Sequence, residues 1–181
     1  FLQQEVDGLP PVGTPPSGQP IQPASFIYDR YFHGPRFQSH GGVLRGSGDG
    51  GSPGIDGVAL MRHQLPATDQ FALEKDGERV LLEALPMLIE AGFQNAGLVA
   101  METLGYSSLP VGIAWSTMLR VHESDEALRL RTLQREHRED GTTVHDVLIV
   151  GEDDAPVLAL KGLQLKAMGR VEEDQRFSME R

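Results

Sequence analysis

The stretch from Pro86 to Leu104 constrains the fold of this chain more than any other part of the sequence. It is apolar around almost its whole helical circumference, which is typical of a helix that is buried on most sides. Pro86 suits a first helical position and Gly105 suits the position just past the end. The predicted helix is about 28 Å long, at about 1.5 Å per residue. A membrane span is disfavoured because four polar residues interrupt the stretch: Glu90, Gln94, Asn95 and Glu102.

Two of these polar residues form a candidate catalytic pair. Glu90 and Gln94 are four residues apart and therefore share one face of the helix, and Gly97 follows on that face and leaves room beside it. A carboxyl group that is oriented by an amide on a buried helix is suited to general acid catalysis. The alternative is an exposed first-turn glutamate that only favours the helix dipole.

Composition excludes several classes of function. The 181 residues carry a net charge of −10, which argues against general binding of nucleic acid. There is no cysteine, so disulfides, thiolate catalysis and zinc–thiolate sites are excluded, and a cytoplasmic location is expected. The sequence offers no signal peptide and no second long apolar run, and no membrane association is expected. Because the chain begins at Phe1, we expect it to derive from a longer polypeptide.

The region before the helix divides into a linker and a first group of strands. Residues 1–24 are rich in proline and are expected to be an extended linker. A short helix is predicted from Ser25 to Tyr31, and strands from Val43 to Arg45 and from Val58 to Arg62. The glycine-rich residues 46–54 lack the Gly-Lys-Ser/Thr ending of a phosphate-binding loop and are predicted to be a flexible hairpin loop. Residues 64–79 are polar and are predicted to be loop.

The region after the helix reads as four strands joined by short turns, which implies antiparallel neighbours. The first predicted strand is Leu109 to Trp115, and the second begins at Leu128, where leucine and arginine alternate as in a half-exposed strand. A charged turn is expected at 135–141. The last two strands are predicted at 144–150 and 157–168, with a bulge or bend at Gly162. A frayed tail follows at 171–181. One long helix on an antiparallel sheet is an α+β fold.

Three segments, in order, resemble the second half of a polyketide-synthase dehydratase domain, which is a double hot-dog fold. Residues 31–38 read Tyr-Phe-His-Gly-Pro-Arg-Phe-Gln and are similar to the family's Tyr-x-x-Gly-Pro-x-Phe-Gln. Residues 86–94 read Pro-Met-Leu-Ile-Glu-Ala-Gly-Phe-Gln and are similar to Pro-x-Leu-Leu-Asp-x-x-x-Gln. Residues 109–113 resemble the Leu-Pro strand that follows. The resemblance covers about residues 25–168 and implies a hot-dog fold over 25–170, with a curved antiparallel sheet around the central helix.

The resemblance also implies a site and a reaction. Glu90 occupies the position of the family's catalytic Asp, with Gln94 as the residue that orients it. The residues expected along the substrate channel are Tyr31, Gly34, Pro35, Phe37, Gly97, Leu109 and Pro110. The reaction is the elimination of water from a 3-hydroxyacyl thioester, which needs a base at C2 and an acid for the C3 hydroxyl. The substrate is carried on the phosphopantetheine of an acyl carrier protein, and no cofactor of the domain itself is expected.

The sequence departs from the family in two ways. Glu90 is one methylene longer than Asp, and a misplacement of about 1 Å can cost on the order of 100-fold in rate. The family's catalytic histidine lies in a His-x-x-x-Gly-x-x-x-x-Pro motif of the first hot dog, and none of the six histidines here has that spacing. All six are therefore expected to be solvated surface residues. The base is expected from a partner half outside these 181 residues, which alone should show no dehydratase activity.

Two alternatives stay open. The chain could be a non-catalytic dehydratase-like module that shapes the channel of a synthase, as the Glu and the missing histidine motif suggest. It could also be a single hot-dog hydratase or thioesterase that acts as a homodimer. Docking of an acidic carrier protein to this acidic chain would need a local basic patch, for which Arg36 and Arg62 are the candidates.

Overall fold

The computed structural model describes residues 22–31, 33–34, 37–49, 52–59, 72–75, 78–81, 84–120, 128–151 and 153–172. Ten strands and two helices lie in these ranges. The elements before the long helix are β1 (Gln22–Pro23), α1 (Ala24–Tyr28), β2 (His40–Asp49), β3 (Ser52–Ala59), β4 (Ala72–Lys75) and β5 (Glu78–Leu81). The long helix is α2 (Ala84–Leu104), and β6 (Tyr106–Gly112), β7 (Trp115–Met118), β8 (Leu128–His137), β9 (Thr142–Val150) and β10 (Pro156–Arg170) follow it.

The strands form one large antiparallel sheet and a separate hairpin. The large sheet has the order β1-β2-β3-β8-β9-β10-β6, with β7 also paired to β10, and β4 pairs with β5. The single helix α2 contacts strands along the whole width of this sheet, from β2 and β3 to β10 and β6. One helix can touch so many strands only if the sheet curves around it. The predicted α+β architecture, with a curved antiparallel sheet around a long central helix, is confirmed.

The buried face of α2 explains why the helix lacks a polar side. Leu88, Ala91 and Ala96 pack against leucine and valine side chains of β8, β9 and β10 in the main core. Leu98, Val99 and Met101 pack in a second cluster with residues of α1, β2 and β3. The helix begins at Ala84, two residues before the predicted start, and it ends at Leu104 as predicted. Gly105 has a φ of 70° and donates its N–H to the Met101 carbonyl at 2.9 Å, which is the predicted glycine termination.

The strand β10 contains the predicted irregularity. Gly162 has a φ of +63°, and the pairing register with β9 shifts between Leu160 and Leu163. This conformation favours glycine because other residues meet a steric penalty there. Before the bulge β10 pairs with β7, and after it β10 pairs with β6. The predicted single strand from Leu109 to Trp115 is therefore two strands, interrupted at Ile113 and Ala114 where the sheet edge follows the bend.

Several predicted boundaries were wrong. Strands β2 and β3 run through most of the glycine-rich 46–54, where a loop was predicted, because main-chain pairing such as Gly46 with Ile55 does not require side chains. The hairpin β4–β5 occupies part of 64–79, also predicted to be loop, and the Asp-Gly pair at 76–77 between the two strands was the missed hairpin signal. Strand β8 continues to His137, so the charged turn begins at Arg138.

Two further predictions, for the N-terminal linker and for the arginines of β8, differ from the structure. Residues 22–24 of the expected linker belong to β1 and α1, whereas 1–21 and 173–181 lie outside the described residues. Arg129 is buried, with 8% of its surface exposed, where the alternation predicted an exposed side chain. It is tolerated there because its guanidinium donates to the Gly151 carbonyl at 3.0 Å and pairs with Asp154.

Candidate functional site

The two residues predicted as a pair are in contact near the start of α2. The Gln94 amide nitrogen donates to Glu90 Oε1 at 3.0 Å, as the four-residue spacing predicts. Gln94 is almost fully buried, with 2% of its surface exposed, while Glu90 is partly buried. The carboxyl group is therefore held on the helix face by a buried amide and keeps access to the space beside it.

A histidine contacts the same carboxyl group. His33 Nε2 lies 2.7 Å from Glu90 Oε1, and each side chain is 19% exposed. His33 directly precedes a turn that is closed by a hydrogen bond from the Phe37 N–H to the Gly34 carbonyl, at 2.9 Å. Tyr31 packs edge-on against the His33 ring, with centroids 5.5 Å apart. The helix start and the turn before β2 thus bring an acid–imidazole pair together.

The orientation of the Gln94 amide is set by a second tyrosine. Tyr28 Oη donates to Gln94 Oε1 at 2.9 Å, and it accepts a hydrogen bond from the His40 backbone N–H at 2.6 Å. Gln94 Nε2 also donates to the Phe37 carbonyl at 2.6 Å. An amide whose oxygen accepts from a hydroxyl must present its nitrogen on the other side. The nitrogen is therefore directed to Glu90, and the carboxyl group receives a donor.

Behind this layer lies a buried polar network. His40 is fully buried, its Nδ1 accepts from the Gly42 N–H at 3.1 Å, and its Nε2 lies 2.9 Å from Asn95 Oδ1. Asn95 Nδ2 donates to the Thr132 hydroxyl at 2.9 Å, so Asn95 Oδ1 is the acceptor and the His40 proton sits on Nε2. Burial lowers the pKa of His40 to about 4, and the Asn95 hydrogen bond opposes this only in part. His40 is accordingly a neutral structural residue.

The carboxyl group opens into a cavity of about 470 Å³. Its surface is mostly apolar, and among its polar residues His33 and Gln94 contact Glu90. The lining residues are Arg30, Tyr31, His33, Glu90, Phe93, Gln94, Gly97, Met101, Ser107, Ser108, Leu109, Pro110 and Met168. Tyr31 donates its hydroxyl to the Gln94 main-chain carbonyl at 3.0 Å. Burial raises the pKa of Tyr31, and the charges of Glu90 and Tyr28 raise it further. Gly97 has no side chain because a Cβ there would collide with the Tyr31 hydroxyl.

Most of the predicted site residues come together. Six of them line the cavity: Tyr31, Glu90, Gln94, Gly97, Leu109 and Pro110. Phe37 contributes its main-chain carbonyl to Gln94, while 49% of the residue is exposed. Gly34 closes the turn after His33. Pro35, Arg36 and Arg62 lie outside the described residues.

The expectation of six solvated surface histidines was wrong for three of them. His40 and His145 are fully buried, and His33 lies at the cavity against Glu90. His137 is exposed as expected, and the other two, at 63 and 122, lie outside the described residues. Sequence reasoning missed His33 because it searched for a distant motif. The available signal was its position between Tyr31 and the Gly-Pro pair, inside the segment that resembles the dehydratase family.

The fold of this chain can be identified by comparison with solved structures. A GphF dehydratase variant superimposes with a TM-score of 0.56 at 19% identity, over 88% of this chain and 55% of that chain. The dehydratase domain of the CurJ module of curacin polyketide synthase gives 0.55 at 17% identity, over 81% and 49%. The smu.793 protein of Streptococcus mutans, solved with acetyl-CoA, gives 0.50 at 12% identity, over 66% and 84%. The chain has a hot-dog fold.

The likeness extends to the fold alone at these identities. The hot-dog chain spans about half the length of the two dehydratases and most of the length of the S. mutans protein. No family model matches the sequence, and no curated protein matches it. Within the described ranges, no helix is long and apolar enough to cross a membrane. Nor do the described side chains include three or more carboxylates and histidines grouped to hold a metal ion.

Proposed function

We propose that this chain is one hot dog of a dehydratase that removes water from a 3-hydroxyacyl thioester. The observation that carries the proposal is the Glu90 carboxyl group, held by the Gln94 amide at the edge of a largely apolar cavity of about 470 Å³. An acyl chain needs an apolar pocket, and elimination of its 3-hydroxyl needs a proton donor at one place in that pocket. The cavity and the carboxyl group supply both.

The chemistry assigns a role to each polar group. Glu90 protonates the departing C3 hydroxyl, and Gln94 holds the carboxyl group in the orientation that this transfer needs. A base must take the C2 proton, and the resemblance to dehydratases suggests a histidine from a first hot dog as its source. The partial coverage of the dehydratase domains, 49% and 55% of their lengths, agrees with a partner half. The thioester would arrive on the phosphopantetheine of an acyl carrier protein.

A thioesterase acting as a homodimer is the second candidate. It is favoured by the S. mutans protein, because that protein was solved with a thioester, acetyl-CoA, and this chain covers 84% of it rather than about half. In that case the same carboxyl group would direct a water molecule at the thioester carbonyl. The third possibility, a non-catalytic module, is disfavoured by the hydrogen-bonded arrangement of Glu90, which a purely structural site does not need.

One assay separates these candidates. The purified protein is mixed with a 3-hydroxyacyl thioester on an acyl carrier protein, and the products are followed by mass spectrometry. A dehydratase yields the enoyl thioester, which has lost one water, whereas a thioesterase yields the free acid. Because the proposed base lies in a partner half, absence of both products refutes the proposal and favours the non-catalytic module when that half is also present in the mixture.

The role of Glu90 is tested in the same assay. Glu90→Gln removes the transferable proton and should lower kcat by about 100-fold or more, the scale of a general acid. Glu139→Gln is the matched control, because Glu139 is exposed on the turn after β8, and it should leave kcat unchanged. Dehydration that survives in Glu90→Gln rules Glu90 out as the acid. Glu90→Asp tests whether the length of the side chain matters. A higher kcat would mean that the extra methylene of Glu places the carboxyl group less well than Asp does.

A further inference from the structure

We infer that His33 is the base of the elimination, so that acid and base both come from this one hot dog. The inference rests on the proposed dehydratase function. It goes beyond the resemblance, which leaves the base to a histidine of another half.

The first support is the direct contact between His33 and Glu90. Nε2 and Oε1 are 2.7 Å apart, at hydrogen-bond distance, and both residues line the same cavity. The reaction requires one group at C2 and another at the oxygen on C3, which are neighbouring positions of the substrate. Because Nε2 itself contacts Oε1, the substrate would enter between the two groups and place each beside one of two neighbouring atoms, with movement of side chains alone.

The second support is that the other described histidines cannot reach the cavity. Both ring nitrogens of His40 are used in the buried network with Gly42 and Asn95. His145 is fully buried and contacts Thr143, and His137 lies exposed near the end of β8. None of these three lines the cavity. Among the histidines that the structure describes, His33 alone is placed to act on a ligand there.

The third support is that the pair can complete a full turnover. His33 Nε2 takes the C2 proton, the C2–H electron pair forms the C2–C3 double bond, and the C3–O bond breaks as Glu90 gives its proton to the leaving oxygen. Water departs, leaving His33 protonated and Glu90 ionised. Once the product has left, the 2.7 Å contact re-forms and the proton passes from Nε2 to Oε1, which restores the starting state. The number of protons on the pair is the same before and after the reaction.

Proton abstraction can be measured separately from elimination. The probe is a saturated acyl-pantetheine thioester such as hexanoyl-pantetheine, incubated with the full chain in D₂O. It has no 3-hydroxyl, so exchange of its C2 protons for deuterium requires the base alone. We expect exchange with the wild type and with Glu90→Gln, and a fall of about 100-fold or more in the exchange rate of His33→Gln. His137→Gln is the control with an exposed histidine and should exchange as the wild type does.

A second variant guards against loss of folding. His33→Ala opens space at the cavity, and added imidazole should restore part of the exchange if the ring acts as the base. Wild-type exchange rates in His33→Gln would overturn the inference while the dehydratase proposal survives with a base elsewhere. Dehydration without any C2 exchange in the wild type would also overturn it. Absence of both dehydration and exchange in the wild-type chain alone would overturn the inference, whereas absence of dehydration with the partner half also present would overturn the proposed function itself.

Discussion

The hydroxyl of Tyr28 links Gln94 to the backbone of His40, and Tyr28→Phe removes only that oxygen. The oxygen accepts from the buried His40 N–H at 2.6 Å and donates to Gln94 Oε1 at 2.9 Å. A buried N–H left without an acceptor costs about 1–3 kcal/mol, and a lost neutral hydrogen bond costs about 1 kcal/mol. The expected decrease in the free energy of unfolding is therefore about 2–4 kcal/mol, which urea denaturation measures.

The same substitution should lower the rate of the reaction. Without the Tyr28 hydroxyl the Gln94 amide keeps its bond to the Phe37 carbonyl but loses the donor to its oxygen, so its orientation toward the Glu90 carboxyl group is held less tightly. We expect kcat to fall about 10-fold, as 1.4 kcal/mol of lost orientation would give, with KM unchanged because Tyr28 does not line the cavity. A merely structural role would lower stability and leave kcat per folded molecule intact.

Tyr106→Phe is the matched control for this experiment. The Tyr106 hydroxyl makes one exposed contact with Arg170 at 3.4 Å, so its removal should change stability by less than about 0.5 kcal/mol. The reasoning about Tyr28 is refuted if Tyr28→Phe behaves like this control in both urea denaturation and kinetics.

Three further predictions concern stability. His40 and His145 bind a proton more readily in the unfolded chain than in the fold, where burial lowers their pKa values to about 4 and about 3. The stability they contribute is present above pH 6.5 and is lost as the pH falls, so urea unfolding should show a loss of about 2 kcal/mol from each, about 4 kcal/mol together, between pH 7 and pH 5. Gly97→Ala drives a methyl group into the Tyr31 hydroxyl and should cost about 1–3 kcal/mol in thermal or urea unfolding, together with part of kcat. Asp56→Asn leaves the half-buried Arg131 guanidinium without its carboxylate, which binds it at 2.6 and 2.8 Å, and should cost about 3–5 kcal/mol.

Each of these predictions has a comparison that would contradict it. A flat stability profile between pH 7 and pH 5 would exclude buried neutral states of His40 and His145. Gly169→Ala meets no atom within 4 Å and should be harmless, so an equal loss from both glycine variants would exclude a specific clash at Gly97. Asp153→Asn disrupts an exposed pair with Arg120 and should cost less than about 1 kcal/mol, so a similar cost for Asp56→Asn would mean that burial does not strengthen that pair.

The parts of the fold that could be predicted from the sequence are those that local spacing determines. The long apolar run predicted α2, the four-residue interval predicted the contact between Glu90 and Gln94, and a lone glycine in an apolar strand predicted the bulge at Gly162. In each case the partners lie within one element, so helical or strand periodicity is enough to bring them together or to mark the irregularity.

The parts that could not be predicted depend on residues that are distant in the sequence. His33 meets Glu90 across 57 positions, and Tyr28 meets Gln94 across 66. No periodicity connects such positions, because the curvature of the sheet and the placement of α1 decide which segments face the helix start. The same holds for Arg129, whose burial depends on Asp154 in a different turn.

The contacts from His33 through Glu90 and Gln94 to Tyr28 can open at a lower free-energy cost than the sheet, so the site has a local stability that differs from the global one. Among the described residues, the N-terminal partners of Glu90 and Gln94 lie in the short stretch from α1 to the beginning of β2, which the apolar cluster around Ile27 anchors. Releasing that stretch costs less than opening the sheet, because it exposes fewer buried side chains. As the denaturant concentration rises, activity should therefore be lost at a lower concentration than β-structure. A ligand that fills the cavity should bring the midpoints of these two transitions together.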